Sequence, residues 1–139
     1  MGGLAFSQGE DALRTPRMPP ALYFELKQRY HKVLQELYDK VASPHEVPEK
    51  PDHGDIDFLV EGPKQASAQV REELAARLRA RRWIDNYPTS SYAVPLPETD
   101  NQYVQIDVHE CRAGVFNWEF FMKSYGDLWQ ILGLIQRNH

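Results

Sequence analysis

The segment HGDIDFLV, residues 53–60, sets Asp55 and Asp57 one residue apart at the start of an apolar run. Side chains alternate faces along an extended strand, so the two carboxylates share one face while Ile56, Phe58 and Val60 share the other. A second segment, QYVQIDVHE at 102–110, alternates Val104, Ile106 and Val108 with Tyr103, Gln105, Asp107 and His109. If the two strands lie in one sheet with their apolar residues buried together, Asp107 joins Asp55 and Asp57 on a common polar face. Carboxylate oxygens are hard ligands of the kind Mg²⁺ takes, commonly shared with substrate phosphates. Crowded like charges repel unless a cation sits among them. The chemistry expected of such a trio is metal-assisted displacement at phosphorus, with one ion lowering the pKa of an attacking hydroxyl and a second neutralising the leaving group. Gly2 and Gly3 add backbone N–H groups that a phosphate can approach with no Cβ in the way.

These residues need elements to hold them. Residues 1–20, rich in Gly and Pro, show no sustained period and read as an irregular N-terminal arm. From Ala21 to Val41, Leu22, Leu26, Tyr30, Val33, Leu37 and Val41 recur at spacings of three and four, which predicts a long amphipathic helix entered through Pro19 and Pro20. A Pro-rich connection leads to the strand at 55–60, closed by Gly62 and Pro63. Val70, Leu74 and Leu78 predict a second helix within 64–82. SSYAVPLP reads as a short strand that Pro95 and Pro97 place at a sheet edge or cut short. Asn117 and Asp127 are suited to cap two further helices, WEFFMKSY and LWQILGLIQRN. The expected class is α+β, a small mixed sheet with helices 21–41 and 66–82 packed on one face.

At 139 residues with 42% apolar content, the chain suits one domain with its own core. Sixteen basic against 20 acidic residues give a formal charge of −4, a poor footprint for tracking long nucleic acid. One cysteine, Cys111, excludes an internal disulfide framework, and no segment reads as a secretory signal or bilayer span. The expectation is an intracellular protein, cytoplasmic or nuclear, with no membrane partner.

The combination of MGGL, GDIDFLV and VQIDVH resembles the DNA polymerase beta-like nucleotidyltransferase superfamily, in an uncharacterised fungal-type branch. That family's pattern is an apolar residue followed by Gly-Gly or Gly-Ser, then Asp-x-Asp on a strand, then a third Asp on a neighbouring strand. The resemblance implies the polymerase beta-like fold. It also implies catalytic metal ligation by Asp55, Asp57 and Asp107, with Asp107 serving hydroxyl activation, and phosphate binding at Gly2 and Gly3. The implied cofactor is Mg²⁺ or Mn²⁺. The implied reaction moves a nucleoside monophosphate from an NTP to a hydroxyl on a small molecule or protein. Two departures stand out. Fifty-one residues separate Gly3 from Asp55, where most members have about ten to fifteen, so the arm must fold back. The chain is also expected to lack C-terminal helices that relatives use for base and acceptor binding.

Rival readings attach to the same residues. A glycosyltransferase would use Asp-x-Asp for a metal and nucleotide sugar, but predicts neither the Gly pair nor the third acid. A non-catalytic nucleotide-binding or regulatory module would keep the fold without turnover. His53 and His109 flank the acids and read as exposed histidines. Arg71, Arg77, Arg79, Arg81 and Arg82 are interleaved with acids and alanines and read as a solvated helix face. Lys64, Ser90 and Ser91 are nearer to what a triphosphate site in the resembling family would need, but Lys64 and Ser91 match no motif and carry no assigned role. Trp83, Trp118, Phe120, Phe121 and Trp129 read as core or interface, and Cys111 as structural.

Overall fold

A computed structural model describes residues 5–6, 12–43, 53–112 and 114. Helix α1, Pro20–Leu37, leads into strand β1, Tyr38–Ala42. Then come β2 (Asp55–Pro63), α2 (Ser67–Arg77), β3 (Arg82–Asn86), β4 (Thr89–Pro95) and β5 (Tyr103–Glu110). The strands form one five-stranded sheet in the order β1-β2-β5-β4-β3. The central β2–β5 pair is parallel and the other neighbours are antiparallel, so the chain is α+β with a small mixed sheet.

The expected neighbourhood of the two alternating strands is observed. Ile56 pairs with Ile106, and Phe58 with Val108. Their apolar faces form one core with Tyr23, Leu26, Tyr30, Leu34 and Leu37 of α1 and Val70 and Leu74 of α2. Both helices therefore cover the same side. The buried line of α1 is turned slightly from the expected stripe, with Tyr23 and Leu34 inside and Leu22 and Val33 packed at its margin. Lateral burial at this scale is the main source of fold stability, since each fully buried large aliphatic side chain contributes roughly 1.5–3 kcal/mol.

Three boundaries differ from the sequence expectation. Helix α1 stops at Leu37 rather than Val41, because Tyr38 turns extended (φ −130°, ψ 151°) and starts an edge strand. Tyr38, Asp39 and Val41 are weak helix formers. Pairing with β2 through Tyr38–Pro63, Lys40–Glu61 and Val41–Val60 supplies the hydrogen bonds that a further helical turn would have made. Helix α2 stops at Arg77 rather than near Arg82. Arg79 adopts the left-handed conformation (φ 57°), its N–H donates to Ala76 O (3.1 Å), and the Ala80 N–H donates to Ala75 O (2.9 Å). That pair of bonds is the Schellman closure, normally signalled by a glycine that this sequence lacks. The freed residues 82–86 become β3, and β4 is consequently an interior strand between β5 and β3 rather than an edge. The other expectation for this segment holds, since Pro95 occupies the last position of β4 and cuts the strand short.

The described part of the N-terminal arm has no helix or long strand, as expected, but it is docked. Phe6 and Met18 are each 1% exposed. Met18 and His53 exchange backbone hydrogen bonds of 2.7 and 2.9 Å, and the Tyr103 N–H donates to Arg14 O (2.8 Å). The capping residues Asn117 and Asp127, the helices they were expected to start, and Trp118, Phe120, Phe121 and Trp129 lie outside the described residues.

Candidate metal centre

Strand register builds the site. Residues paired across neighbouring strands point to the same face, so the row Asp57–Asp107–Ser91 crosses β2, β5 and β4 on the side away from the helices. Asp55 stands beside Gln105 one step earlier, and Leu59 beside His109 one step later. The parallel β2–β5 pairing puts the Asp-x-Asp of one strand directly against the third Asp of the other. One carboxylate oxygen from each of Asp55, Asp57 and Asp107 lies within 4.8 Å of the others, and all three residues are half-buried.

That spacing suits hard-cation chemistry. An octahedral Mg²⁺ shell with bonds of about 2.0–2.1 Å spans about 4.2 Å across, and paired ions sit about 3.5–4 Å apart. Asp55, Asp57 and Asp107 would be the residues that hold such an ion. The donor set is all oxygen, which fits Mg²⁺ or Mn²⁺ better than softer metals.

Asp107 is the most constrained of the three. Its Oδ1 accepts from the Ser91 hydroxyl (2.7 Å) and from Gln105 Nε2 (3.0 Å), while Oδ2 takes a longer bond of 3.2 Å from the same Gln105 amide. A carboxylate offers about four lone-pair positions, and these bonds load two of them onto Oδ1. Oδ2 thereby keeps the greater capacity for a further ligand. Gln105 itself is 5% exposed. Its Oε1 accepts from the Ala5 N–H (2.9 Å), so the arm does return to the acid-bearing side of the sheet. Gly2 and Gly3 lie outside the described residues.

Other residues singled out in the sequence fall elsewhere. His109 is half-buried one step along the same face, 3.0 Å from the Thr89 hydroxyl. His53 is not exposed as expected. It is 3% accessible and stacks on Tyr23 with ring centroids 3.7 Å apart, because the Met18 pairing pulls the approach to β2 under the start of α1. Arg71 departs from the expected solvated face. It is 8% exposed and paired with Asp85 (3.0 Å) and Glu110 (4.0 Å), on the helix side of the sheet. Arg77 matches the solvated reading, pairing with Glu36 and Glu73. Lys64 donates to Gln35 O at the end of α1, away from the acids. Ser90 receives a bond from the Tyr92 hydroxyl on the core side (2.8 Å), Trp83 stacks on Tyr92, and Cys111 is a buried free thiol.

Ser91 and Gln105 are the site residues whose roles the sequence did not reveal. For Gln105 a signal existed, since period two puts it on the face of Asp107. For Ser91 there was none, because strand register cannot be read from the composition of β4. Compared with known proteins, the chain matches no family model and no curated protein. Among the described residues, no helix is long and apolar enough to cross a membrane.

Proposed function

We propose that the chain is a nucleotidyltransferase of the polymerase beta-like type that uses Mg²⁺ or Mn²⁺ to move a nucleoside monophosphate from an NTP to a hydroxyl acceptor. The observation that carries this reading is the convergence of Asp55, Asp57 and Asp107 on one face of two adjacent parallel strands. A glycosyltransferase reading of Asp-x-Asp alone leaves the third acid and its two dedicated donors unexplained.

In this reading Asp55 and Asp57 hold the divalent ions, and Asp107 contributes the third ligand. The bound ions would supply charge neutralisation at the triphosphate and a lowered pKa for the acceptor hydroxyl. Asp107 orients that hydroxyl through Oδ2, the oxygen less occupied by Ser91 and Gln105. The acceptor oxygen forms a bond to the α-phosphorus, the bond from that phosphorus to the bridging oxygen of the leaving group breaks, pyrophosphate departs, and the hydroxyl proton passes by way of Asp107 to solvent. Ala5, two residues beyond Gly3 in the sequence, is fastened beside this site, which supports a phosphate-binding role for the Gly2–Gly3 pair. The net charge of −4 favours a small molecule or protein as acceptor over long nucleic acid.

Calorimetric binding of the four NTPs with Mg²⁺, run beside pyrophosphate detection with candidate acceptors, tests the proposal. Asp107→Ala should abolish pyrophosphate release while leaving much of the nucleotide affinity, and Asp55→Ala or Asp57→Ala should weaken both. Failure of every NTP to bind at millimolar Mg²⁺ would overturn the transferase reading. Tight binding without turnover would assign the chain to a non-catalytic nucleotide-binding module.

A further inference from the structure

We propose that Gln105 is a positioning residue that locks the Asp107 carboxylate and the N-terminal arm into one unit, so that loosening either end loosens the other. The inference builds on the reading of the acid trio as a cation site. Its own support is the chain of bonds from Ala5 N–H to Gln105 Oε1 (2.9 Å), and from Gln105 Nε2 to both oxygens of Asp107 (3.0 and 3.2 Å).

The middle of a central strand is a costly place for a buried amide, because each polar atom must be satisfied. Here each one is, and the residue type is dictated by the two neighbours. An amide carries an acceptor and two donors. Glutamate at this position would accept from Ala5 but meet Asp107 with a like charge, and a hydrophobic residue would serve neither partner. The amide's orientation follows from the same logic, since reversing it would set NH₂ against the Ala5 N–H and a carbonyl against a carboxylate. Reach also matters. Residues 105 and 107 share a face about 6.5–7 Å apart along the strand, and a long side chain spans that gap.

The arm end of this link is anchored independently. Phe6 is buried beneath the Arg82 guanidinium, 5.9 Å from the ring centroid, and its carbonyl accepts from the Leu13 N–H (2.7 Å). Arg82 reaches this face because β3 and β4 align it with Ala93, which is itself aligned with Gln105. Farther along the arm, Arg14 is bridged to Gln102 at the entry to β5. Hydrogen bonds in series polarise one another in a water-poor setting, and coupling between two such sites is reciprocal. The arm and the third acid therefore share one hinge point, the Gln105 amide.

Two readouts on the full chain test this. The first needs no cation: hydrogen exchange of the Ala5 amide should accelerate by about tenfold or more in Gln105→Leu, and also in Asp107→Ala, where the far end of the link is removed and Gln105 is intact. Acceleration in Gln105→Leu but parent-like exchange in Asp107→Ala would overturn the coupling. The second is Mn²⁺ titration, in which Gln105→Leu should bind about tenfold more weakly than the parent, as partners that orient metal ligands commonly do. Ala5→Pro removes the arm's donor without substituting any sheet residue, so it serves if Gln105→Leu fails to fold. It should weaken Mn²⁺ by about fivefold, and parent-like affinity in it would overturn the proposal. Absence of any Mn²⁺ binding by the parent would defeat the cation reading instead, and the exchange rates alone would then decide the coupling.

Discussion

Strand β5 carries charged clusters on both faces, and its own two acids, Glu110 and Asp107, are held by different kinds of group. Toward the helices, Glu110 accepts from the Ser67 hydroxyl (2.7 Å) and lies 4.0 Å from Arg71. Arg71 also pairs with Asp85 and lies over the Tyr87 ring. This cluster contains its own cation. On the other face, three carboxylates converge, and the donors that hold Asp107 are the neutral groups of Ser91 and Gln105. Charge supplied within the chain makes a structural fastening that is indifferent to the solvent. Three acids gathered on one face make a place where a cation from solution would relieve their mutual repulsion.

The sharpest way to break this contrast is to remove the internal cation. Arg71→Ala leaves the half-buried Glu110 without its guanidinium and should cost about 2 kcal/mol in denaturant unfolding, by the same amount with and without Mn²⁺. A metal-dependent loss would mean that the two faces are not independent. On the other face, Asp57→Asn relieves repulsion and should raise metal-free stability by about 1–2 kcal/mol, while reducing the stabilisation gained from millimolar Mn²⁺. Destabilisation in metal-free buffer would show that the acids are already compensated like the Arg71 cluster.

The helix side also predicts an alkaline limb. Burial, only partly offset by the hydrogen bond to Ser90, pushes the Tyr92 phenol up to about 12, and burial raises Tyr38 as well. A phenol whose folded pKa exceeds its unfolded value near 10 gives full stability below pH 10 and loses it as pH climbs toward the folded value. By pH 11 Tyr92 alone should cost about 1 kcal/mol, and Tyr92→Phe should flatten that limb in a pH series of unfolding curves. The smallest effect expected is at the end of α2. Arg79→Gly relieves a left-handed arginine at the expense of greater unfolded-state entropy, for a net gain of about 0.5 kcal/mol in the same assay.

What could be read from the sequence follows where the physics is local. Strands β2 and β5 were legible because strict alternation of Ile56, Phe58, Val60, Val104, Ile106 and Val108 leaves one way to bury them, and that constraint brought the three acids together. The turn of α1 into β1 was not legible, because Tyr38 and Val41 continue the helical spacing and only their pairing with β2 overrules it. Strand β3 was hidden behind a helix end that Arg79 makes without a glycine. Arg71 looked solvated because its partners, Asp85 and Glu110, come from strands distant in sequence. Gln105 and Ser91 were visible as polar residues, but their hold on Asp107 depends on register and on the returning arm. The fold's centre and the convergence of the three acids were thus readable, while the neutral groups that hold Asp107 were not.

The central claim is that Asp55, Asp57 and Asp107 form one cation site. It is tested most directly by titrating Mn²⁺ into the parent and into the three single Asp→Asn variants, reading bound ion by electron paramagnetic resonance. A shared site predicts saturable binding by the parent that each of the three substitutions weakens by about tenfold or more. Binding that is unchanged in Asp107→Asn, or absent from the parent at millimolar Mn²⁺, would contradict it.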